Sequence, residues 1–380
     1  MDLQQARVQV LEAGRELVRA GLIARTWGNV SCRVAEDTFV VTPSGRAYEG
    51  LTLEEIVPCR VADASYEGDV KPSSERRVHA LVYRMRPEAG FVIHTHQPWA
   101  SAVSASGKTE IGGVPVAAYG LPGTKKLCAG VEEALQKATG SAVIMAHHGA
   151  LCFGRTYEEA MDAALALERG CETYVRGMAP GGETDEKSLP LYALERITGK
   201  RRMLPAQPQM ASSRRTPEGF VLGRDASAVS FRFTDAGLSG EARLHRAVYL
   251  ARKDIGVILP ATESGVYALS FTKGPLPPML DDFAQLVGAS VRTAKSAGPE
   301  DAVRALRGRA AVLLPGKGAL CCAANEYDAH AVRMVLEKNA LTALCGAILG
   351  GGKPIAPAEC FLMRQVYRSS YAKRAGKKER

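Results

Sequence analysis

Short apolar runs alternate along this chain with longer segments of helical period, the pattern of a mixed α/β protein. The first segment, Leu3 to Ala20, has the spacing of an amphipathic helix, and Gly21 is placed to end it. Phe91-Val92-Ile93 is apolar and β-branched, and predicts a buried strand. Ala142-Val143-Ile144-Met145 predicts a second. Between them, Val78, Leu81 and Val82 recur at helical spacing after Ser73 and Ser74. That spacing predicts a loop opening into a helix, with one of the two serines as its N-cap. Thr26-Trp27-Gly28-Asn29-Val30-Ser31 and Val41-Thr42-Pro43-Ser44-Gly45 read as short polar turns beside strands.

The pattern then repeats. Gly240 to Tyr249 echoes Ser74 to Tyr83, Gly256 to Thr262 echoes Gly90 to His96, and Ala311 to Cys321 echoes Ala142 to Cys152. The helices that follow correspond as well, Glu326-Tyr327-Asp328-Ala329 against Tyr157-Glu158-Glu159-Ala160. A chain of 380 residues suits about two domains. Residues 1–200 are read as the first domain and 201–219, with Pro205, Pro208 and Pro217, as a linker. Residues 220–380 are read as a degenerate second copy.

The candidate chemistry sits at strand ends. His94 and His96 are two residues apart, so on a strand their side chains share a face. His147 and His148 close the other apolar run and offer a third imidazole. Three imidazoles with an open position make the ligand set of a catalytic zinc site. Lys71-Pro72-Ser73-Ser74-Glu75 brings two hydroxyls and free backbone N–H groups to the positive end of a helix, which attracts an anion, phosphate in particular. Glu75 either caps that helix or takes part in the chemistry. In the second copy Pro260 stands for His94, Thr262 for His96 and Lys317 for His148, while Glu241 remains in the place of Glu75. One metal site per chain is therefore expected. Lys317 reads as a solvated turn, with contact to a substrate anion as the sharper alternative.

Five motifs, in order and spacing, resemble the class II aldolase/adducin family: Thr26-x-Gly28-Asn29-x-Ser31, Thr42-Pro43-x-Gly45, Lys71-Pro72-Ser73-Ser74-Glu75, His94-x-His96 and His147-His148-Gly149. The resemblance spans about residues 5 to 180 and leans to fuculose-phosphate aldolases, which carry glutamate after the two serines. The related ribulose-phosphate epimerases carry aspartate there. It implies a three-layer α/β/α domain around a mixed, largely antiparallel sheet, here duplicated in tandem. It implies that His94, His96 and His148 hold a divalent metal, Zn2+ or another such as Mn2+ or Co2+. Glu75 would be the catalytic acid/base, with its pKa raised by a dry site. Gly28, Asn29, Ser44, Gly45, Ser73 and Ser74 would bind the substrate phosphate. His147 would not be a ligand, and His79 would pack or hydrogen-bond within the fold. The implied activity is a metal-dependent aldolase, a lyase cleaving a phosphorylated ketose or related sugar acid through a metal-stabilised enediolate. An epimerase, dehydratase or decarboxylase could use the same site. Adducin-like, non-catalytic relatives lose the histidines that this chain keeps.

One stretch departs from the pattern. Gln97 to Gly113 is short and lacks the tyrosine that, in fuculose-phosphate aldolases, protonates the aldehyde product across a subunit interface. Tyr119, at the end of the strand-like run Val114 to Ala118, could substitute, although a structural role there is the simpler reading. Single-domain relatives form four-fold rings, so a tandem chain implies a homo-oligomer, a pseudo-four-fold dimer in which the silent copy completes a neighbour's pocket.

Composition agrees with a cytoplasmic protein. Hydrophobic residues make up 46% of the chain and the formal net charge is +9. No secretory leader or membrane-length apolar run is read in the sequence. Nine cysteines without a CxxC pair argue against a disulfide framework, and Cys152 and Cys321 fall at equivalent core positions. Basic residues cluster at Lys200-Arg201-Arg202, Arg214-Arg215 and in the tail from Lys373. Without interleaved aromatics they read as solvated charge and not as a nucleic-acid surface.

Overall fold

The computed structural model of the chain describes residues 1–23, 27–179, 188–224 and 228–371. Thr26 and the basic tail from Lys373 lie outside the described residues. The chain divides into two compact units, residues 1–177 with the segment from Gln365, and residues 178–364.

In the first unit the order is α1 (Leu3–Arg19), β1 (Asn29–Ala35), β2 (Thr38–Val41), β3 (Val57–Arg60), α2 (Arg76–Met85), β4 (Phe91–Thr95), α3 (Pro98–Ser104), β5 (Glu110–Ile111), β6 (Val114–Ala117), α4 (Lys125–Lys137), β7 (Ala142–Met145), β8 (Gly149–Gly154) and α5 (Tyr157–Gly177). The first helix starts on a capping box between Asp2 and Gln5 and buries Ala6, Val10, Leu11, Ala13, Gly14 and Leu17. The eight strands lie in the order β3-β2-β1-β4-β8-β7-β6-β5. All named pairings are antiparallel except β6 with β7. Strand β4 is central and buried along its whole length. Val92 and Leu151 join α2 and α4 residues, among them Val78, Leu81, Leu127 and Val131, in one core on one face of the sheet. His94 lies two residues beyond Val92, so it points to that same face.

The second unit contains α6 (Ser188–Thr198), β9 (Ser213–Arg215), β10 (Gly219–Leu222), β11 (Val229–Arg232), α7 (Gly240–Ala251), β12 (Val257–Ala261), α8 (Ser264–Leu269), α9 (Asp281–Leu286), β13 (Arg292–Thr293), α10 (Pro299–Leu306), β14 (Ala311–Leu314), β15 (Gly318–Ala323), α11 (Glu326–Leu349) and α12 (Pro357–Val366), the last crossing the boundary at residue 364. Its sheet runs β11-β10-β9-β12-β15-β14-β13, the path of the first without a counterpart of β5 among the described strands, and β13–β14 is parallel as β6–β7 is. The duplication reaches individual arginines. Arg33 donates to the Tyr83 carbonyl at 2.6 Å with its guanidinium 4.7 Å from that ring, and Arg215 does the same to Tyr249 at 2.6 and 4.7 Å.

The units divide earlier in the chain than the expected boundary at residue 200. Helix α6 packs against α8 and α11 of the second unit, because its apolar positions Leu189, Ala193 and Leu194 are buried there. The expected linker 201–219 is also partly structured. It contributes β9 to the sheet, and the Tyr267 hydroxyl donates to the Pro205 carbonyl at 3.0 Å.

Candidate metal centre and active site

Strand β4 ends by presenting His94, and the chain then turns to present His96. The hairpin between β7 and β8 presents His148. Its tight turn puts His147 in the left-handed region at φ 60°, a strained conformation for a residue with a side chain. Gly316 holds the matching place in the second unit at φ 65°, so the turn belongs to the fold. The turn sends the two neighbouring rings apart. His147 packs on Tyr119, with ring centroids 5.2 Å apart, while His148 stacks on His94 at 4.8 Å. This settles which of the two histidines joins the cluster.

The donor atoms of His94, His96 and His148 all lie within 4.8 Å of one another, and all three residues are buried. His94 Nε2 is 3.0 Å from His96 Nε2 and 3.0 Å from His148 Nε2. His94 Nδ1 donates to the Ala150 carbonyl at 2.9 Å, so in the neutral ring its Nε2 lone pair faces the other two nitrogens. Lone pairs converging in a buried site repel unless a proton or cation lies among them, and nitrogen donors of this kind suit a zinc-like divalent ion. The residues therefore fit a metal. They could hold one through three Nε2 atoms.

Glu75 faces the same point. Its Oε1 lies 2.8 Å from His148 Nε2 and its Oε2 lies 3.1 Å from His94 Nε2. Burial pushes the Glu75 carboxyl upward, but His94 and His148 beside it outweigh that and hold it well below the usual carboxylate range. The direction is opposite to the expected raised pKa, because imidazoles that carry a proton favour the charged form more than burial disfavours it. The expected serine N-cap is corrected as well. Glu75 itself occupies the N-cap position of α2, without a capping bond from its side chain, and the Ser73 hydroxyl accepts the Glu75 N–H at 3.1 Å. The carboxylate is spent on the histidines and not on the helix.

The three polar loops meet around this group. The Thr42 N–H donates to the Val30 carbonyl at 3.1 Å, Ser73 N–H to Thr42 at 2.9 Å, and Ser44 N–H to Lys71 at 2.9 Å. Gly28 has φ +85°, and a Cβ there would stand 2.8 Å from the His94 carbonyl, so only glycine lets the loop come this close to β4. Gly45 also has positive φ, at 69°. Ser44 and Ser73 are buried, Ser74 half-buried and next to Gly123, whose added Cβ would lie 3.5 Å from the Ser74 carbonyl. Asn29 behaves differently from the other expected phosphate contacts. Its side-chain NH2 donates to Glu75 Oε2 at 3.1 Å and its Oδ1 lies 2.5 Å from His79 Nε2, so one N–H at most is left for a ligand.

His79, Ser31 and Tyr83 are linked to this site, although sequence reasoning does not assign them to it. A signal for them is present: Glu75, His79 and Tyr83 are four residues apart on a helix, and Asn29 and Ser31 are two apart on a strand. In the second unit Lys317 is exposed, in keeping with a solvated turn.

The sequence profile described as "Class II Aldolase and Adducin N-terminal domain" matches residues 8–175 and again residues 196–344. The chain belongs to the class II aldolase and adducin family. Both units of this class II aldolase-family protein therefore carry the family domain, as the matching sheets indicate. A curated relative is the 5-methylthioribulose-1-phosphate/5-deoxyribulose-1-phosphate aldolase of Rhodospirillum rubrum, 31% identical over 202 residues, which cover 50% of this chain and 88% of the relative. Solved structures similar to it include the L-fuculose-1-phosphate aldolase of Thermus thermophilus, at 27% identity and TM-score 0.37, covering 44% of this chain and 92% of that one. Another is a sugar-phosphate aldolase of Thermotoga maritima, at 21% identity and TM-score 0.39, covering 47% and 96%.

Proposed function

We propose that this protein is a metal-dependent lyase that cleaves a ketose phosphate by a retro-aldol reaction, with one active site per chain in the first unit. The observation that carries the reading is the buried convergence of three imidazole nitrogens with the Glu75 carboxylate. A divalent ion held by His94, His96 and His148, zinc first and Mn2+ or Co2+ as alternatives, supplies a Lewis acid for the negative charge that develops on the substrate carbonyl oxygen. Glu75, held as a carboxylate, would take the proton of the substrate hydroxyl that becomes the aldehyde and return it to the carbon that gains a hydrogen on cleavage, and would accept the proton from that carbon in the reverse direction. Ser44, Gly45, Ser73, Ser74 and the Gly28 turn are proposed to hold the phosphate at the open start of α2, which supplies binding energy away from the reacting carbons. The intact histidine set favours this over an adducin-like interaction role.

The second unit carries Pro260, Thr262 and Lys317 at the ligand positions and offers no such set. All nine cysteines are free thiols, which suits a reducing compartment such as the cytoplasm. Among the described residues no helix is long and apolar enough to cross a membrane.

The test is turnover by the metal-loaded protein on a panel of ketose 1-phosphates, beginning with the two sugars named for the Rhodospirillum relative. Release of an aldehyde together with a shorter phosphorylated ketone is expected. Conversion to an isomer without aldehyde would instead show that the site epimerises, and no turnover of any member would defeat the reading.

A further inference from the structure

Behind the histidine cluster five side chains form one continuous hydrogen-bonded chain. Asn29 Nδ2 donates to Glu75 Oε2 at 3.1 Å. His79 Nε2 lies 2.5 Å from Asn29 Oδ1, and His79 Nδ1 lies 2.6 Å from Ser31 Oγ. Ser31 Oγ in turn lies 2.8 Å from the Tyr83 hydroxyl. All five residues are buried.

The direction of every link follows from one end. A carboxylate can only accept, so the Asn29 NH2 must face Glu75. Asn29 Oδ1 then accepts, which requires the proton on His79 Nε2. Burial and the nearby His94 push the His79 pKa down to about 3, so the ring is neutral and its Nδ1 accepts from Ser31. Ser31 accepts from Tyr83. Each member donates towards Glu75, with no lone pair or proton out of place.

The second unit repeats most of this chain and breaks it at one link. Ser213 Oγ lies 2.7 Å from His245 Nδ1 and 2.8 Å from the Tyr249 hydroxyl. Ser31 pairs with Val92, and Ser213 pairs with Ile258, the residue two before Pro260 as Val92 is two before His94. The position of Asn29 is therefore held by Ala211. His245 Nε2 is buried there with no hydrogen-bond partner among the described residues, and Glu241 accepts from the Ala211 backbone N–H at 3.1 and 3.2 Å. The tyrosine–serine–histidine part survives where no ligand set exists, so it belongs to the fold. The link from histidine through asparagine to the carboxylate occurs only in the unit with the histidine cluster.

We propose that Asn29 and His79 are positioning residues for Glu75: His79, fixed as the Nε2–H tautomer by Ser31, orients the Asn29 amide, which pins Oε2 and leaves Oε1 on the reacting side. This rests on Glu75 as the proton carrier of the proposed function. A carboxylate released from the amide would sample other rotamers, and a misplacement of about 1 Å can cost roughly 100-fold in rate.

The test compares Asn29→Ala, His79→Leu and His79→Gln in the full-length, metal-loaded protein, with His245→Leu as the matched control. Alanine is what the second unit carries at this position, so the Asn29 variant suits the fold. Asn29→Ala should lower kcat by about 10- to 100-fold with KM and bound metal unchanged. His79→Gln, which can still donate to Asn29, should keep more of kcat than His79→Leu. His245→Leu should lower the unfolding temperature and leave kcat alone. A crystal structure of Asn29→Ala should show the Glu75 carboxylate turned from its place, a readout that stands even if no substrate is turned over and the proposed function fails. An unmoved Glu75 overturns the inference. So does a raised KM at unchanged kcat, which would make Asn29 a phosphate contact instead.

Discussion

Loss of one imidazole should uncouple the stability of this protein from metal. In the cluster His94 Nε2 stands 3.0 Å from both neighbouring nitrogens, with Glu75 oxygens at 2.8 and 3.1 Å from His148 and His94. A cation there binds the folded chain alone, because the ligands are 52 residues or more apart in sequence apart from the His94–His96 pair. Binding to the native state stabilises by about 2.7 kcal/mol when free metal is 100 times its Kd. For a unit of this size 1 kcal/mol moves the midpoint by about 2–4 °C, so added zinc should raise the unfolding temperature of the first unit by roughly 5–10 °C. His96→Ala removes one of three donors and should abolish most of that rise, together with the bound metal. The assay is a thermal melt of chelator-treated protein, with and without zinc, manganese or cobalt, alongside metal analysis. A wild-type melt indifferent to all three ions would refute the reasoning, as would an alanine variant that keeps the full shift.

Glu75→Gln should retain the metal and lose about 100-fold or more in kcat, the usual cost of a missing general acid/base; an unaltered pH–rate profile would remove Glu75 from that role. Ala211→Asn in the second unit gives the buried His245 Nε2 an acceptor and should stabilise by about 1 kcal/mol in urea unfolding, a gain that a lower midpoint would contradict. Light scattering of the full chain should give a dimer, as the resemblance to ring-forming relatives implies, and a monomer at working concentration would end that proposal. Tyr119→Phe should change kcat by less than about 2-fold if the ring only packs on His147, whereas a large loss would make its hydroxyl the missing proton donor.

Much of this site could be read from local periodicity. The two-residue spacing puts His94 at the end of β4 and His96 just beyond it, and the repeated motifs announce a second copy stripped of its ligands. The four-residue spacing of Glu75, His79 and Tyr83 likewise places them on one face of α2 without help from the rest of the chain. Tertiary structure decided what those faces meet. Only the left-handed turn at His147 separates His148 from its neighbour, and only the pairing of Asn29 with His94 brings the amide to the carboxylate. Glu75 reads as a helix cap until the histidines of β4 and of the β7–β8 hairpin arrive to claim it. The unit boundary was hidden for a related reason. Helix α6 looks alike in sequence whichever unit it joins, and its burial against α8 and α11 depends on residues about 70 to 150 positions away. Periodicity is set by neighbours along the chain, whereas which strand or helix a given face meets is decided by contacts between residues far apart in sequence.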